Sequence, residues 1–219
     1  DGSIGYFGIE FKINTNNVTV KNCRIEDFGK GIYLFHADNN TFENLNLQNN
    51  YQGFSHLYSN KIIVKNSIMQ ENKGSDYNFI PYGSIDCDNT ISNVISNGKE
   101  ILYANSQINL NNQEYASIIL CNADSSTLTD ITLTGSENYN NNGISIFHTD
   151  NSIFNGINST DNSNFWISES TYNVFENIYS KLNSQYGIFF DTGSNNNILK
   201  NSYFTKDSQF AVYINGNSN

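Results

Sequence analysis

The stretch NNTFENLNLQNNYQG, residues 39–53, decides how this chain folds. Six of its fifteen residues are asparagine, and isolated apolar residues stand between them: Phe42, Leu45 and Leu47. Asparagine is favoured at tight turns because it tolerates unusual backbone angles and hydrogen-bonds to nearby main chain. Alternation of apolar and polar residues has the period of two expected of strands. The stretch therefore predicts short strands joined by asparagine turns.

The same pattern recurs along the chain, roughly every 20 to 26 residues. TFENLNL (41–47) aligns with VTVKNCRI (18–25) and IVKNSIM (63–69), and the series continues to ILKNSYF (198–204). A second strand-like block follows each of these, usually after a glycine, as in GIYLF (31–35). One column of the alignment reads Asn22, Asn44, Asn66, Asn93, Asp130, Gly156, Asn177 and Asn201. The columns beside it are mostly apolar.

Strands repeated at this spacing leave too few residues for a crossover helix, so they fit a chain wound as a coil. Each strand then pairs in parallel with its equivalent one coil later, about 4.8 Å away, and equivalent side chains stack. Stacked asparagine amides can hydrogen-bond from coil to coil, as in the ladders of cross-β assemblies. We expect this structural ladder at Asn22, Asn44, Asn66, Asn93, Asn177 and Asn201.

The asparagine column, the glycine before each second block and the stretch SNGKEILYANSQINLNNQEYASIILCNADSSTLTDITL (96–133) resemble the repeats of NosD-like and CASH-type proteins. The resemblance covers nearly the whole chain. It implies an all-β fold, a single-stranded right-handed parallel β-helix (solenoid) of about eight to nine coils. No composition shift divides the chain, so we expect one domain over residues 1–219, which can be a segment of a longer surface protein.

Charge and composition exclude several partners. The formal net charge is −10 and Arg24 is the one arginine in the sequence, so nucleic acid is a poor candidate partner. No run approaches eighteen apolar residues, so we expect no direct membrane span. The first residues lack a secretion signal, so the chain is either intracellular or a mature or excised piece. Sequons at Asn17, Asn39 and Asn158 permit glycosylation in a surface protein.

Two long coils offer places for a ligand. Residues 70–84 and 97–117 are expected to leave the solenoid as neighbouring excursions, and function on a rigid scaffold concentrates in loops. Aromatic rings beside carboxylates suit a sugar, although such rings can also simply seal loops onto the scaffold. A second surface is the outward column of the second strands, which reads Tyr33, Ser55, Ile119, Ser145, Trp166, Phe189 and Tyr213. The predicted ligand-binding residues are Tyr77, Phe79, Tyr82, Tyr103, Tyr115 and Trp166.

Catalysis is the alternative, because β-helices also carry polysaccharide-cleaving enzymes. Such sites need clustered acids, or calcium with a basic residue. The nearest cluster is Asp86 and Asp88 with Asp124 one coil later, but Asp88 and Asp124 occupy a position before a turn that also suits capping. The sequence contains no counterpart of the galacturonase motifs. We therefore expect no catalytic residue and no cofactor, with calcium as the ion that the enzyme alternative allows.

Copper is the metal that NosD-like proteins suggest. His36 and His148 recur in FHAD and FHTD but lie four coils apart, and His56 falls near an inward column, so no metal site is expected.

Cys87 and Cys121 lie near the ends of second strands in adjacent coils, where a disulfide and two buried thiols are equally compatible with the pattern.

These observations predict a non-catalytic, extracellular structural or adhesive module. Its expected partners are carbohydrate or another cell-surface polymer, engaged through the long coils and the aromatic column. Because neither end shows a capping helix, copies can also associate through open β-helix ends, unless the chain is an excerpt of a longer protein. A carbohydrate-active enzyme, that is a polysaccharide lyase, hydrolase or epimerase, is the alternative function.

Overall fold

The fold is a parallel β-solenoid. The computed structural model describes residues 6–134, 138–139, 142–160, 165–183, 186–207 and 209–215. This part of the chain is all-β and winds through about nine turns. Its helical content is one short 3-10 segment, Ser84–Cys87. The predicted fold class, an all-β parallel solenoid, is confirmed.

Twenty-four strands make up the described coils. In chain order the first eleven are β1 Phe7–Phe11, β2 Thr19–Lys21, β3 Arg24–Glu26, β4 Lys30–Phe35, β5 Thr41–Glu43, β6 Asn46–Gln48, β7 Gln52–Leu57, β8 Ile63–Gln70, β9 Ser75–Ile80, β10 Thr90–Ser96 and β11 Lys99–Ala104. The others are β12 Asn109–Tyr115, β13 Ser117–Cys121, β14 Thr127–Thr134, β15 Ile144–Phe147, β16 Ile153–Asn155, β17 Asn158–Thr160, β18 Phe165–Ser168, β19 Val174–Glu176, β20 Tyr179–Lys181, β21 Tyr186–Phe190, β22 Ile198–Lys200, β23 Tyr203–Thr205 and β24 Phe210–Ile214.

The chain divides into two compact units. The first takes the chain up to Tyr103 together with residues 138–139, and the second takes the chain from Ala104 onward. In the first unit, β1, β4, β7 and β9 pair in parallel, and so do β2, β5, β8 and β10. Strand β10 also forms an antiparallel hairpin with β11. The single domain predicted over 1–219 stays a prediction.

The second unit repeats the plan. Strands β13, β15, β18, β21 and β24 form one parallel series. A second sheet has the order β22-β19-β16-β14-β17-β20-β23, with β12 paired in parallel to β14. The long strand β14 corresponds to the pair β16 and β17, which a turn at Gly156 separates. Within each unit the aligned segments are therefore the paired strands, in the predicted register. The alignment left out β12, which pairs with β14 ahead of the others.

The apolar columns fill the interior of both units. In the first unit, Phe42 and Val64 have no exposed surface, and in the second the same holds for Leu128, Phe154 and Phe175. Burying one such side chain stabilises the fold by about 1.5–3 kcal/mol. These residues stand opposite one another in register, as Phe42 does with Val64 and Phe154 with Phe175. The predicted inward column is confirmed.

Glycine before the second strand is explained by close approach of the next coil. A Cβ placed on Gly31 would lie 2.6 Å from the carbonyl oxygen of Gly53, and one on Gly53 would lie 2.6 Å from that of Asp76. Real Cβ atoms do not come so near main chain. Glycine therefore lets consecutive coils stack at this corner.

The asparagine column forms the left-handed turn of each coil. Its φ angles are 57° at Asn22, 53° at Asn44, 52° at Asn66, 53° at Asn93, 53° at Asp130, 68° at Gly156, 53° at Asn177 and 52° at Asn201. Asn44 Nδ2 donates to Asn22 Oδ1 at 3.1 Å, and Asn93 Nδ2 donates to Asn66 Oδ1 at 2.9 Å. These amides are exposed, so the ladder runs along the outside of the first unit. In the second unit, Asn177 Nδ2 donates to Asn155 Oδ1 and Asn201 Nδ2 donates to Glu176 Oε1 instead, so the predicted bond between Asn177 and Asn201 is not made.

A second kind of ladder, which is buried, was missed by sequence reasoning; it occurs at two corners of the coil, one that includes Asn40 and one that includes Asn50. Its asparagines are Asn40, Asn50, Asn72, Asn89, Asn173 and Asn183, none more than 5% exposed. Asn50 is typical: its Oδ1 accepts from Phe28 N at 3.0 Å, and its Nδ2 donates to Ile25 O at 3.1 Å. Such side chains satisfy main-chain groups that would otherwise be buried without a partner, which costs about 1–3 kcal/mol each.

The doublets of the opening stretch divide these two roles. Asn39 and Asn49 are exposed left-handed residues, with φ of 56° each, whereas Asn40 and Asn50 point inward. The first asparagine of each doublet turns the chain, and the second hydrogen-bonds the neighbouring coil. The doublet was the sequence signal for the buried ladder.

The two predicted excursions are wrong. Within 70–84, the segment Ser75–Ile80 is strand β9, the second strand of its coil, and pairs with β7. Within 97–117, strands β11 and β12 account for most of the residues. The alternating apolar residues of β9 and β11, such as Tyr77, Phe79 and Ile101, are inward strand positions.

Candidate functional site

The second unit carries a continuous aromatic column on one outer face. Trp166, Phe189 and Tyr213 stand opposite one another on β18, β21 and β24. The sequence predicted this order from the outward positions of the second strands. Trp166, Phe189 and Tyr213 are each partly exposed.

Two further rings broaden this column. Tyr186 lies 5.2 Å from Tyr213, centroid to centroid, and Phe210 lies 5.3 Å from Tyr213. Along the column, Trp166 and Phe189 are 6.4 Å apart and nearly parallel, at 13°, and Phe189 and Tyr213 are 5.2 Å apart. Phe210 is 51% exposed. We define the aromatic column as Trp166, Tyr186, Phe189, Phe210 and Tyr213.

A polar edge lies directly after three neighbouring strands of the same sheet. His148 follows β15, Glu169 follows β18 and Asp191 follows β21. Asp191 Oδ2 accepts from Trp166 Nε1 at 3.2 Å, and His148 Nδ1 lies 3.4 Å from Glu169 Oε2. We define these three residues as the polar edge. The carboxylates therefore lie at one end of the strands that carry the rings.

Two residues of the polar edge adopt a backbone conformation that their side chains disfavour. His148 has φ of 45° and Glu169 has φ of 48°, whereas the turn after β13 uses Asn122, at 58°. For a residue other than glycine or asparagine this conformation costs roughly 1–2 kcal/mol. The same conformation recurs at other turns of the solenoid, for example at His36, with φ of 49°, and at Tyr58, with φ of 55°. The turn thus holds an imidazole and a carboxylate in a strained conformation that asparagine would relieve.

Most of the other predicted ligand-binding residues are interior. Tyr77, Phe79, Tyr103 and Tyr115 are each at most 9% exposed, whereas Tyr82 is 77% exposed. Phe79 and Tyr103 pack edge to face at 5.6 Å, and the Tyr115 hydroxyl donates to Gln113 Oε1. A ligand-binding role for these residues stays a prediction.

Tyr77 belongs to a buried polar network in the first unit. His56 Nε2 lies 2.9 Å from the carbonyl oxygen of Ser59 and must donate to it, so Nδ1 accepts from the Tyr77 hydroxyl at 3.0 Å. Burial lowers the pKa of His56 to about 4 and raises the pKa of Tyr77. His56 is therefore a core histidine, as its position in the inward column indicated.

The acids of the enzyme alternative contribute to turns. Asp86 Oδ2 accepts from Tyr82 N at 2.7 Å in the first unit, and Asp124 Oδ1 accepts from Asp150 N at 2.7 Å in the second. Asp88 is exposed, and its carbonyl oxygen accepts from Lys61 N. For Asp86 and Asp124, these bonds match the capping role of an acid at a turn.

The three cysteines are in two states. Cys87 and Cys121 are both disulfide-bonded, and Cys23 is a free thiol. Among the described residues, no group of three or more His, Cys, Asp or Glu side chains is placed to hold a metal ion. In the same part of the chain, no helix has the length and hydropathy needed to cross a bilayer.

Comparison with protein-family models and with curated proteins found no match for this chain. The coil architecture is that of a β-helix repeat protein.

Proposed function

We propose that this chain is a non-catalytic binding module for a carbohydrate polymer, with the aromatic column and the polar edge of the second unit as its site. The main observation in support is that the partly exposed rings of Trp166, Phe189 and Tyr213 lie beside the carboxylate of Asp191. Aromatic rings offer apolar contact to the CH groups of a sugar, and carboxylates accept hydrogen bonds from its hydroxyls. Few, well-placed polar groups among aromatic side chains are typical of ligand sites.

A neutral polymer fits this site better than an anionic one. The chain carries a net charge of −10, and Glu169 and Asp191 stand at the polar edge. Like charges across an interface disfavour association. A polymer also matches a column that extends over several coils, since consecutive sugar residues can contact consecutive rings.

Affinity electrophoresis in gels with neutral soluble polysaccharides, such as xylan, glucan and galactomannan, tests the proposal. We expect retardation by at least one polymer, and a loss of affinity of roughly fivefold to tenfold in Trp166→Ala and in Tyr213→Ala, because each ring contact contributes about 1 kcal/mol. The matched control is Tyr172→Asn, which removes an exposed tyrosine outside the column at a left-handed position that asparagine tolerates. No retardation, or equal losses in the control, would contradict the proposal.

A cell-surface or extracellular location belongs to this proposal. The disulfide-bonded state of Cys87 and Cys121 supports an oxidising compartment, where such bonds form and persist. Membership of the NosD-like and CASH-type repeat family is likewise proposed, on the repeat pattern and the solenoid fold. Secretion of the natural protein, followed by thiol labelling of unreduced material, checks the location.

The enzyme alternative has a direct test on the same samples. A reducing-sugar and lyase assay on each polymer that binds would reveal turnover. If turnover appears and Asp86→Ala or Asp88→Ala abolishes it, the module is an enzyme and the non-catalytic proposal fails.

Association through an open solenoid end is a further candidate. In the last described coil, Val212 and Ile214 are 36% and 70% exposed, although they stand opposite the buried Ile188 and Phe190. Together with Leu199 they line an apolar cavity of about 250 Å³. Electron microscopy of the purified protein distinguishes end-to-end filaments from single particles.

A further inference from the structure

The second unit has another exposed face, distinct from the aromatic column. It is the outer surface of the sheet that contains β16, β19 and β22 with β17, β20 and β23. One column on it is aliphatic: Ile153 is 46% exposed and Ile198 53%, with Val174 between them. A second column is aromatic: Tyr179 and Tyr203 are 39% and 58% exposed and stack at 5.6 Å. We call this surface the lateral face.

Charges of opposite sign lie between these two apolar columns. Glu176 and Lys200 stand opposite each other in consecutive coils, and Lys200 Nζ lies 3.1 Å from Glu176 Oε2. Hydrogen bonds from Lys200 and Asn201 lower the pKa of Glu176, so its carboxylate is ionised at neutral pH. We call Glu176 and Lys200 the charged column. Its charge therefore changes sign from the coil of Glu176 to the coil of Lys200.

This pattern is self-complementary. Consider two copies whose lateral faces meet, related by a two-fold axis that runs parallel to the strands between β19 and β22. This axis reverses the order of the coils in the second copy, and it places each column of one copy opposite the same column of the other. The aliphatic column then meets the aliphatic column and the tyrosines meet the tyrosines. Glu176 of one copy faces Lys200 of the other, twice. A face that matches itself in this way has the geometry of an isologous interface.

We propose that the lateral face binds the lateral face of a second copy of this chain, in an antiparallel side-by-side dimer. Exposed apolar side chains with a polar seam are typical of interaction surfaces, and complementary charges fix the register of such contacts. The sign change of the charged column selects an identical partner in the reversed order, because a parallel copy would place like charges together. The dimer is independent of the carbohydrate site, which lies on another sheet.

A charge-exchange experiment tests this pairing. Sedimentation velocity or light scattering over a concentration series should show dimers of the natural sequence in the micromolar range. Glu176→Lys and Lys200→Glu should each weaken association by about tenfold or more, because each makes like charges face each other twice. An equal mixture of the two variants should associate again, since both lysines of the first variant then face the two glutamates of the second.

Association in the mixture of the two variants distinguishes a contact between copies from the ion pair within one chain. Neither variant regains its own Glu176–Lys200 ion pair on mixing, so recovery can come only from contact between copies. The matched control is Lys65→Glu, which breaks the equivalent Lys65–Glu43 ion pair of the first unit, 3.6 Å long, and should leave association unchanged. Circular dichroism confirms that each variant is folded.

Three outcomes would overturn the proposal. A natural chain that stays monomeric throughout the series would do so, and so would a mixture that fails to associate. A Lys65→Glu variant as impaired as Lys200→Glu would show that general loss of charge balance is responsible. Tyr203→Ser provides a second check, since removing an exposed ring from the face should weaken the dimer without changing any charge.

Discussion

The two units share one coil plan but fill it differently. The interior of the first unit contains polar groups, with His56, Asp76 and the Tyr77 hydroxyl buried among apolar rings. The interior of the second unit contains stacked phenylalanines on its first strands, with Phe154 and Phe175 at 4.8 Å and 7°. Both interiors are compatible with the same turns. The coil path is therefore set by glycine, the left-handed residues and the ladders more than by the identity of the core side chains.

The outer faces of the two units also differ, in the residues that stand just after the left-handed turn. In the first unit, the positions that follow the left-handed asparagines of the column by two residues are Arg24, Asn46, Ile68 and Ile95. In the second unit they include the stacked Tyr179 and Tyr203. At these positions the second unit therefore places a stacked aromatic pair on its outer face, and one of the candidate binding surfaces includes this pair.

The largest expected effect is a cavity in the second unit. Phe175→Ala should lower the free energy of unfolding by about 3–5 kcal/mol, because the ring packs between Phe154 and Phe190, at 4.8 and 5.5 Å. Urea unfolding and hydrogen exchange measure the loss. Phe175→Leu, which keeps most of the volume, should cost far less. Equal losses in both variants would show that ring stacking matters more than volume.

In the first unit the corresponding weak point is polar. Asn72→Ala should cost about 3 kcal/mol, because Asn72 Oδ1 accepts from Asn50 N at 3.0 Å and Nδ2 donates to Leu47 O at 3.0 Å, all buried. Hydrogen exchange of the amides in β6 and β7 locates the loss. Asn49→Gly, at an exposed left-handed turn, is the control and should change stability by less than about 0.5 kcal/mol. A cost below that of the control would refute the buried ladder.

Acid should weaken the first unit through His56. The pKa of His56 is lowered to about 4 in the folded chain, against about 6.5 when unfolded, so the unfolded state binds the proton first as the pH falls. The contribution of the neutral imidazole is complete above pH about 6.5 and is lost progressively down to about 4, by up to about 3 kcal/mol. Unfolding free energies over this range measure it. His56→Gln should flatten the difference, and identical pH slopes in both proteins would contradict the assignment.

The smallest expected effect concerns the exposed ladder. Asn44→Ala should cost about 1 kcal/mol, because alanine disfavours φ of 53° and the bond to Asn22 is lost. Asn44→Gly should be nearly neutral, since glycine adopts this conformation freely. Thermal unfolding of the pair separates backbone strain from the side-chain bond. If glycine costs as much as alanine, the hydrogen bond is the larger contribution.

The strand register could be read from the sequence because its signal is repeated. Phe42, Val64 and the other inward residues recur with the left-handed column, so each coil reinforces the alignment of the next. The order of Trp166, Phe189 and Tyr213 followed from the same register, whereas Tyr186 and Phe210 of the aromatic column did not, and Ser55 and Ile119 of the predicted outward column are buried. The roles of single asparagines could not be read in this way, because Asn44 and Asn50 have the same side chain and differ only in the side of the turn on which they lie.

The polar edge and strand β9 were harder to predict. His148 and Glu169 are near each other because they follow neighbouring strands, and neither residue type identifies a left-handed turn. Strand β9 has Asp76 at the position that Gly31 and Gly53 occupy in the preceding coils, and its Tyr77 and Phe79 were interpreted as loop residues. Burial of a tyrosine depends on a partner for its hydroxyl, here His56, and that partner lies on another strand.

The turns at the start of the first unit recur at a constant number of residues in successive coils. In the first unit, the hydrogen bond that Asn44 donates to Asn22 and the one that Asn50 donates to Asn72 each join residues 22 positions apart. Excising or duplicating one such period would join equivalent points of two windings, with every inward residue still inward. Changes in chain length by whole windings would therefore preserve the architecture, whereas the loss of a single residue within a strand would turn the interior outward.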